Sequence, residues 1–234
     1  MINSVLLQVQ LDTPGQLTEA AEAMPSHETL SLFSLALKGG IVMIPLAILL
    51  VIAVYIFIER YFAISRASND ETNFMNNIRD FIYEGRIDSA KALCKNNTSP
   101  IAKMIAKGVV RIGRPLNDIN VAIENVGKLE VAKLEKNIAF LSTVAGVAPM
   151  IGFLGTVIGM VRAFYNMSMA GGNIDISVLA GGIYEAMVTT ITGLIVGIIA
   201  FICYNILVAR IEKVIFILEA RATEFMDLLH EPAS

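Results

Sequence analysis

Long apolar runs alternate with charged segments along this chain. Three runs, 39–58, 138–161 and 176–209, are almost free of charge. They are followed by Glu59-Arg60 (an expected interfacial anchor), Arg162 and Arg210. A helix needs roughly 20 apolar residues to cross the hydrocarbon core of a bilayer. The pattern therefore predicts an all-α membrane protein with three transmembrane helices.

The distribution of Lys and Arg predicts the direction of these spans. Residues 59–137 contain thirteen of the 18 basic residues, residues 1–38 contain one, and residues 167–175 contain none. Basic segments stay in the cytoplasm, so we expect an N-out/C-in topology. The predicted parts are an extracytoplasmic N-terminal segment that could include an interfacial helix (1–38), the first span (39–62), a cytoplasmic helical region (63–137), the second span (138–164), a short extracytoplasmic loop (165–176), the third span (177–209) and a cytoplasmic C-terminal helix (210–234).

Two of the spans are predicted to continue as long helices into the cytoplasm. The first of these helices begins near Leu116, with Asn117 or Asp118 as its cap, and could continue through the second span to about Phe164. The other follows the third span through apolar residues at helical spacing. These are Ile211, Val214, Ile215, Leu218, Ala222, Phe225 and Leu229. We expect a lone subunit to leave this stripe exposed, which favours an assembly.

Composition excludes several classes of function. The 234 residues have a net charge of −3, which does not favour nucleic-acid binding. The two cysteines, Cys94 and Cys203, fall in different predicted compartments, so we expect no disulfide. The two histidines, His27 and His230, lie near opposite ends of the chain, so no metal site is expected. No phosphate loop or catalytic triad pattern occurs. We therefore expect neither an enzyme nor a cofactor.

Small and polar residues mark two predicted spans. Glycine and other small residues let membrane helices approach closely, and we expect packing by Gly152, Gly155 and Gly159 on the second span, with Pro149, and by Gly193 and Gly197 on the third. Glu185 is the one acid within the third run, where a carboxylate is costly and usually marks an ion pathway. Glu185, Thr189 and Thr192 form a polar face about 100° from the stripe that contains Thr190.

Four segments of the chain resemble the MotA/TolQ/ExbB proton-channel family, and within it the ExbB proteins most. They are GGIVMIPLAILLVIAVYIFIER (39–60), SPIAKMIAKGV (99–109), APMIGFLGTVIGMVRAF (148–164) and GGIYEAMVTTITGLIVGIIAFICYN (181–205). The resemblance implies a homopentamer in the bacterial inner membrane around an ExbD-like one-span subunit with an intramembrane aspartate. Proton flow would then drive TonB. The family's pore positions fall on Thr156, Glu185 and Thr190, with Thr189 as an additional hydroxyl.

Two alternatives remain open on the sequence. A TolQ-like or gliding-type motor subunit would share the same architecture and serve another pathway. A non-conducting membrane scaffold would explain the spans, although Glu185 and the threonines argue against it. An adjacent TonB gene would favour the ExbB-like role over the first alternative, and a proton-flux assay with the partner tests the second.

Overall fold

The computed structural model describes residues 39–68, 72–169 and 176–230, and within them it contains helices and no strands. Three of the helices are long and apolar enough to cross a membrane, which confirms the predicted architecture of three spans. The interfacial helix predicted within 1–38 lies outside the described residues. The helices are α1 (Met43–Ala67), α2 (Thr72–Tyr83), α3 (Ile87–Asn96), α4 (Pro100–Val109), α5 (Leu116–Glu135), α6 (Ile138–Met169) and α7 (Ile176–His230).

The helix predicted to continue from Leu116 through the second span is present, and it is interrupted at residues 136 and 137. α5 ends at Glu135, and α6 begins at Ile138. Between them Asn137 has a φ of 65°. Asparagine is one of the few non-glycine residues that adopt this left-handed conformation readily. Nor does Asn117 or Asp118 cap α5, because its N-cap is Pro115 and no side chain caps the helix.

Arg60 of α1 stabilises the interruption. The last four carbonyls of a helix have no partner within it, and the Lys133 carbonyl belongs to this group. Arg60 Nη1 donates to that carbonyl at 3.1 Å, and its Nη2 donates to Glu59 Oε1 at 2.8 Å. The Arg60 side chain is only 10% exposed. It therefore joins α1 to the end of α5, in addition to any contact with the membrane interface.

Much of the apolar stripe of α7 is covered by the same chain, which corrects in part the expectation that a lone subunit leaves it exposed. Ile211, Val214 and Phe225 are all buried. α4 and α5 pack against this part of α7. α4 can do so because Ser99 caps its N-terminus by accepting a hydrogen bond from the Ala102 N–H, directly before Pro100.

Gly108 sits at the closest contact of this cytoplasmic core. A Cβ added to it would lie 2.6 Å from Phe225 Cε1 and 2.7 Å from Ile123 Cδ1, and both side chains are fully buried. We expect Gly108→Ala to lower the free energy of unfolding by about 1–3 kcal/mol, because the core must move to admit the methyl group. Thermal unfolding in detergent measures the loss.

Gly127 on the adjacent α5 provides the matched control. A Cβ there would meet only Met104 Sδ, at 3.4 Å. Alanine is favoured over glycine in a helix by about 1 kcal/mol, so Gly127→Ala should leave the unfolding temperature unchanged or raise it. If both variants unfold at the same temperature, the close packing around Gly108 is misassigned.

A buried carboxylate connects α4 to α5. Glu130 accepts a hydrogen bond from Lys103 Nζ at 2.9 Å and another from Lys133 Nζ. Burial alone would raise the pKa of Glu130. The hydrogen bonds from Lys133 and Lys103, together with their charges, outweigh burial and hold the pKa below its ordinary value of 4.5. The ionised form is therefore favoured by folding.

This pKa shift makes the contribution of Glu130 depend on pH. A carboxylate whose pKa is lowered by folding stabilises the fold at pH values above its pKa in the unfolded chain. This stabilisation is lost as the pH falls through its pKa in the folded protein. We expect Glu130→Gln to lower stability by about 1–2 kcal/mol at neutral pH and to have less effect below about pH 4. Glu124→Gln, which breaks an exposed pair with Lys128, should change stability by less than about 0.5 kcal/mol. Equal effects of the two variants, or an effect of Glu130→Gln that is independent of pH, would contradict this assignment.

Candidate functional site

The second and third spans pack along a line of small residues, which we call the seam. α6 and α7 make the most extensive contact in the described chain, and α1 packs against both. A Cβ added to Gly193 would lie 2.7 Å from the Ala148 carbonyl oxygen and 2.8 Å from the Cα of Gly152. The backbones therefore touch at this level. The seam consists of Gly152, Gly155 and Gly159 on α6 and of Ala186, Thr189 and Gly193 on α7.

Pro149 extends the seam toward the start of α6. A proline inside a helix removes one N–H and leaves the carbonyl four residues earlier without its helical partner, which here is that of Ala145. A Cβ added to Gly197 would lie 2.7 Å from Pro149 Cγ and 3.1 Å from the Ala145 oxygen. The absence of a side chain at Gly197 thus lets α7 approach the proline ring and this carbonyl.

Threonine hydroxyls at the seam fall into two groups. Thr156 donates to Phe153 O at 2.6 Å, Thr189 to Ala186 O at 2.7 Å and Thr192 to Val188 O at 2.9 Å, all within their own helices. Thr190 donates across the seam to the Gly152 carbonyl at 3.1 Å, and the Thr189 hydroxyl also reaches that carbonyl, at a longer distance of 3.4 Å. In an α-helix that carbonyl also accepts the N–H of Thr156. The Gly152 carbonyl thus connects Thr190 to the backbone of Thr156.

The structure places the four predicted path residues on two edges of the seam. Adjacent residues on a helix point about 100° apart. Thr189 contacts Gly155, as shown by the 2.5 Å between its Oγ1 and a Cβ added there, and it is 2% exposed. Thr190 follows Thr189 on α7, and Thr156 follows Gly155 on α6. Both therefore lie on the edge of the seam opposite to Thr189. We call the side with Thr189 the α1 edge and the side with Thr156 and Thr190 the open edge.

Glu185 belongs to the α1 edge, because it precedes Thr189 by four residues and so shares its side of α7. Its Oε1 lies against Gly40, leaving no room for a side chain there. Gly40 also has a φ of 66°, which disfavours any other residue. Sequence reasoning did not identify Gly40, and the Gly39-Gly40 pair before the first span was its one signal. Glu185 forms no ion pair with any residue that the structure describes.

Beside the open edge, α6 carries a shallow groove with a volume of about 450 Å³, and all the residues that line it belong to α6. Thr156 lies in its wall, and the other side chains that line it are apolar: Val157, Met160, Val161 and Phe164. The groove runs along α6 within the span. It offers an apolar surface with a single hydroxyl, which suits a second membrane helix or a lipid chain.

Comparison with known proteins assigns the chain to a family. The MotA/TolQ/ExbB proton channel family matches residues 96–220, which is more than half of the chain. The chain belongs to this family. The matched region contains the seam, Thr156, Glu185 and Thr190.

Some relatives of this chain are named ExbB and others are named TolQ. The chain is 29% identical over 176 residues to "biopolymer transport protein ExbB-like 1" of Synechocystis sp., covering 74% of this chain and 69% of the relative. It is 38% identical over 104 residues to TolQ of Haemophilus influenzae, covering 44% and 45%. It is 35% identical over 94 residues to ExbB of Neisseria gonorrhoeae, covering 40% and 42%. Family membership and three apolar helices identify a multi-pass inner-membrane subunit of a proton-channel motor.

Proposed function

We propose that the chain is an ExbB-like subunit that, with an ExbD-like partner, uses the proton-motive force to energise TonB for import through outer-membrane transporters. The observation that carries the proposal is the pair of hydroxyls on the open edge. Thr156 and Thr190 come from different helices and are connected through the Gly152 carbonyl. Each hydroxyl donates its proton to a backbone carbonyl and keeps lone pairs that accept a hydrogen bond from water, so the two can hold water in a narrow path without adding charge.

A partner carboxylate completes this path. Glu185 is the only acid among residues 138–161 and 176–209, and its carboxylate lies at the α1 edge, against Gly40. On our proposal the chain forms a homopentamer, and the membrane helix of the ExbD-like subunit passes along the open edge with its aspartate near Thr156 and Thr190. Glu185 then acts from the other edge, toward the outer end of the path. The chain acts as a conduit, and we assign it no catalytic residue and no cofactor.

The orientation of the subunit is part of the proposal. Thirteen basic residues in 59–137 favour placing α2–α5 in the cytoplasm, with the end of α6 outside. In whole cells, a cysteine replacing Ser168 should react with an impermeant maleimide, whereas one replacing Asp88 should react only after lysis. Both positions are exposed in the subunit. The reverse labelling would overturn the topology and the direction of the path.

Co-purification and complementation test the proposal together. The chain should purify with a one-span subunit that carries an intramembrane aspartate, and the pair should restore growth on chelated iron in cells that lack their ExbB and ExbD subunits. A chain that purifies alone, or a complex that conducts no protons, would favour a scaffold.

A TolQ-like role in the cell envelope is the second candidate, because the TolQ of Haemophilus influenzae is among the relatives of this chain. Restored resistance to detergent in cells that lack TolQ and its partner, without restored iron uptake in cells that lack ExbB and ExbD, would favour the TolQ-like role.

A further inference from the structure

A second groove lies beyond the spans, where α5 and the end of α7 run side by side. It has a volume of about 530 Å³. Its floor is apolar, with Met104 of α4 beneath Val131, Leu218 and Ala222. Acidic side chains, among them Glu135 and Glu219, line its rim. Nothing in the proton path described above uses this surface.

The dimensions of the groove fit one peptide segment. Its lining on α5 extends from Asn120 to Glu135, which is about 22 Å at 1.5 Å per residue. A groove with an apolar floor between two helices that lie side by side typically binds a single amphipathic helix. The volume holds the side chains of such a segment and is too small for a folded domain.

The charge of the rim indicates the chemistry of the segment. The lining contains three acids, Glu124, Glu135 and Glu219, against one base, Lys128. Lys128 is already paired with Glu124 at 2.6 Å. Glu135 and Glu219 form no ion pair with any described residue. An occupant with basic residues beside its apolar ones therefore complements this surface.

The position of the groove connects it to the open edge. At about 100° per residue, Ile215 and Glu219 lie within about 20° of the line of Thr190 on α7. Ile215 follows Arg210, which ends the span, by about 8 Å along the helix. A membrane helix that passes Thr190 therefore meets the groove shortly after it enters the cytoplasm. The positive-inside rule places basic residues at this point of a one-span protein.

We infer that this groove binds the basic segment that directly precedes the membrane helix of the one-span partner. The inference rests on the proposed function, because it requires such a partner on the open edge. The segment docks its apolar side chains over Val131 and Leu218 and places its cations beside Glu135 and Glu219. The partner helix is thereby held in register with Thr156 and Thr190 from the cytoplasmic side.

Site-specific photo-crosslinking in the co-expressed, full-length complex tests this inference. A benzophenone amino acid in place of Ala132 or Thr223, which line the groove, should crosslink to partner residues immediately before its membrane span. The same probe in place of Ala220, which is exposed on α7 outside the groove, should not. Crosslinks to a second copy of this chain, or none at all, would overturn the inference.

Charge reversal provides the second measurement. Glu135→Lys with Glu219→Lys should lower the crosslinking yield from Ala132 on the order of tenfold, while the partner still co-purifies through its membrane helix. Asp227→Lys, an exposed position on α7 outside the groove, should leave the yield unchanged. An unchanged yield in the double variant would overturn the inference. Failure of the proposed function looks different, because the partner would then be missing from the unaltered complex.

Discussion

Gly193→Leu is expected to abolish assembly of the complex. Even a Cβ at this position would lie 2.7 Å from the Ala148 carbonyl oxygen and 2.8 Å from the Cα of Gly152. These are backbone atoms, so no rotation of a side chain relieves the clash, and α6 must move away from α7. The small-residue contact that joins the spans is then lost, together with the hydrogen bond from Thr190 to Gly152. Blue-native electrophoresis of the purified complex measures the loss.

Gly146→Leu is the matched control for this variant. It lies on α6, and apart from the neighbouring backbone of its own helix nothing in the subunit comes within 4 Å of a Cβ added there. A subunit with Gly146→Leu should keep its fold and its seam. Gly193→Ala should fall between the two, with a loss of about 1–3 kcal/mol from overpacking. Normal assembly of Gly193→Leu would show that α6 and α7 do not pack through the seam.

Thr156→Val and Thr190→Val are each expected to reduce proton-driven function about tenfold without dissociating the complex. Valine has nearly the shape of threonine and lacks its hydroxyl. Loss of one hydrogen bond to a water in the path costs roughly 1.4 kcal/mol, which is a tenfold change in rate. Growth on a chelated iron source, normalised to the yield of the purified complex, measures the effect.

Thr189→Val and Glu185→Gln separate the two edges of the seam. Thr189 is buried, and its shorter hydrogen bond runs to Ala186 within its own helix at 2.7 Å, with a longer one of 3.4 Å to the Gly152 carbonyl. Because water does not reach this hydroxyl, Thr189→Val should be milder than either variant on the open edge. Glu185→Gln keeps the side-chain shape beside Gly40 and removes the charge, and we expect a smaller but measurable loss. Full growth of both Thr156→Val and Thr190→Val would leave these residues as packing elements.

The sequence predicted the spans because membrane crossing depends on local composition. Runs almost free of charge before Glu59 and Arg210 mark two of the three helices, and no long-range contact is needed to recognise them. The resemblance in 148–164 and 181–205 indicated Thr156, Glu185 and Thr190 as a set. Family membership supports that resemblance, while the roles of the individual residues remain predictions.

Features that depend on contacts between distant residues were not predictable in this way. The interruption at Asn137 requires a partner for the freed carbonyl of Lys133, and that partner is Arg60, 73 residues away. The α7 stripe looks unpartnered until α4 folds back over Phe225. Helical spacing likewise separates Thr189 from Thr190 by about 100°, but it does not tell which of the two lies on the open edge.

The central claim is that the open edge conducts protons together with a one-span partner. Proton flux into liposomes that contain the purified complex tests it most directly, with a pH-sensitive dye inside and an imposed membrane potential. We expect flux from the complex, about a tenfold reduction in Thr190→Val, and near-normal flux in Thr189→Val. Equal flux from the unaltered complex and from both variants would contradict this claim, as would no flux from a complex that retains its partner.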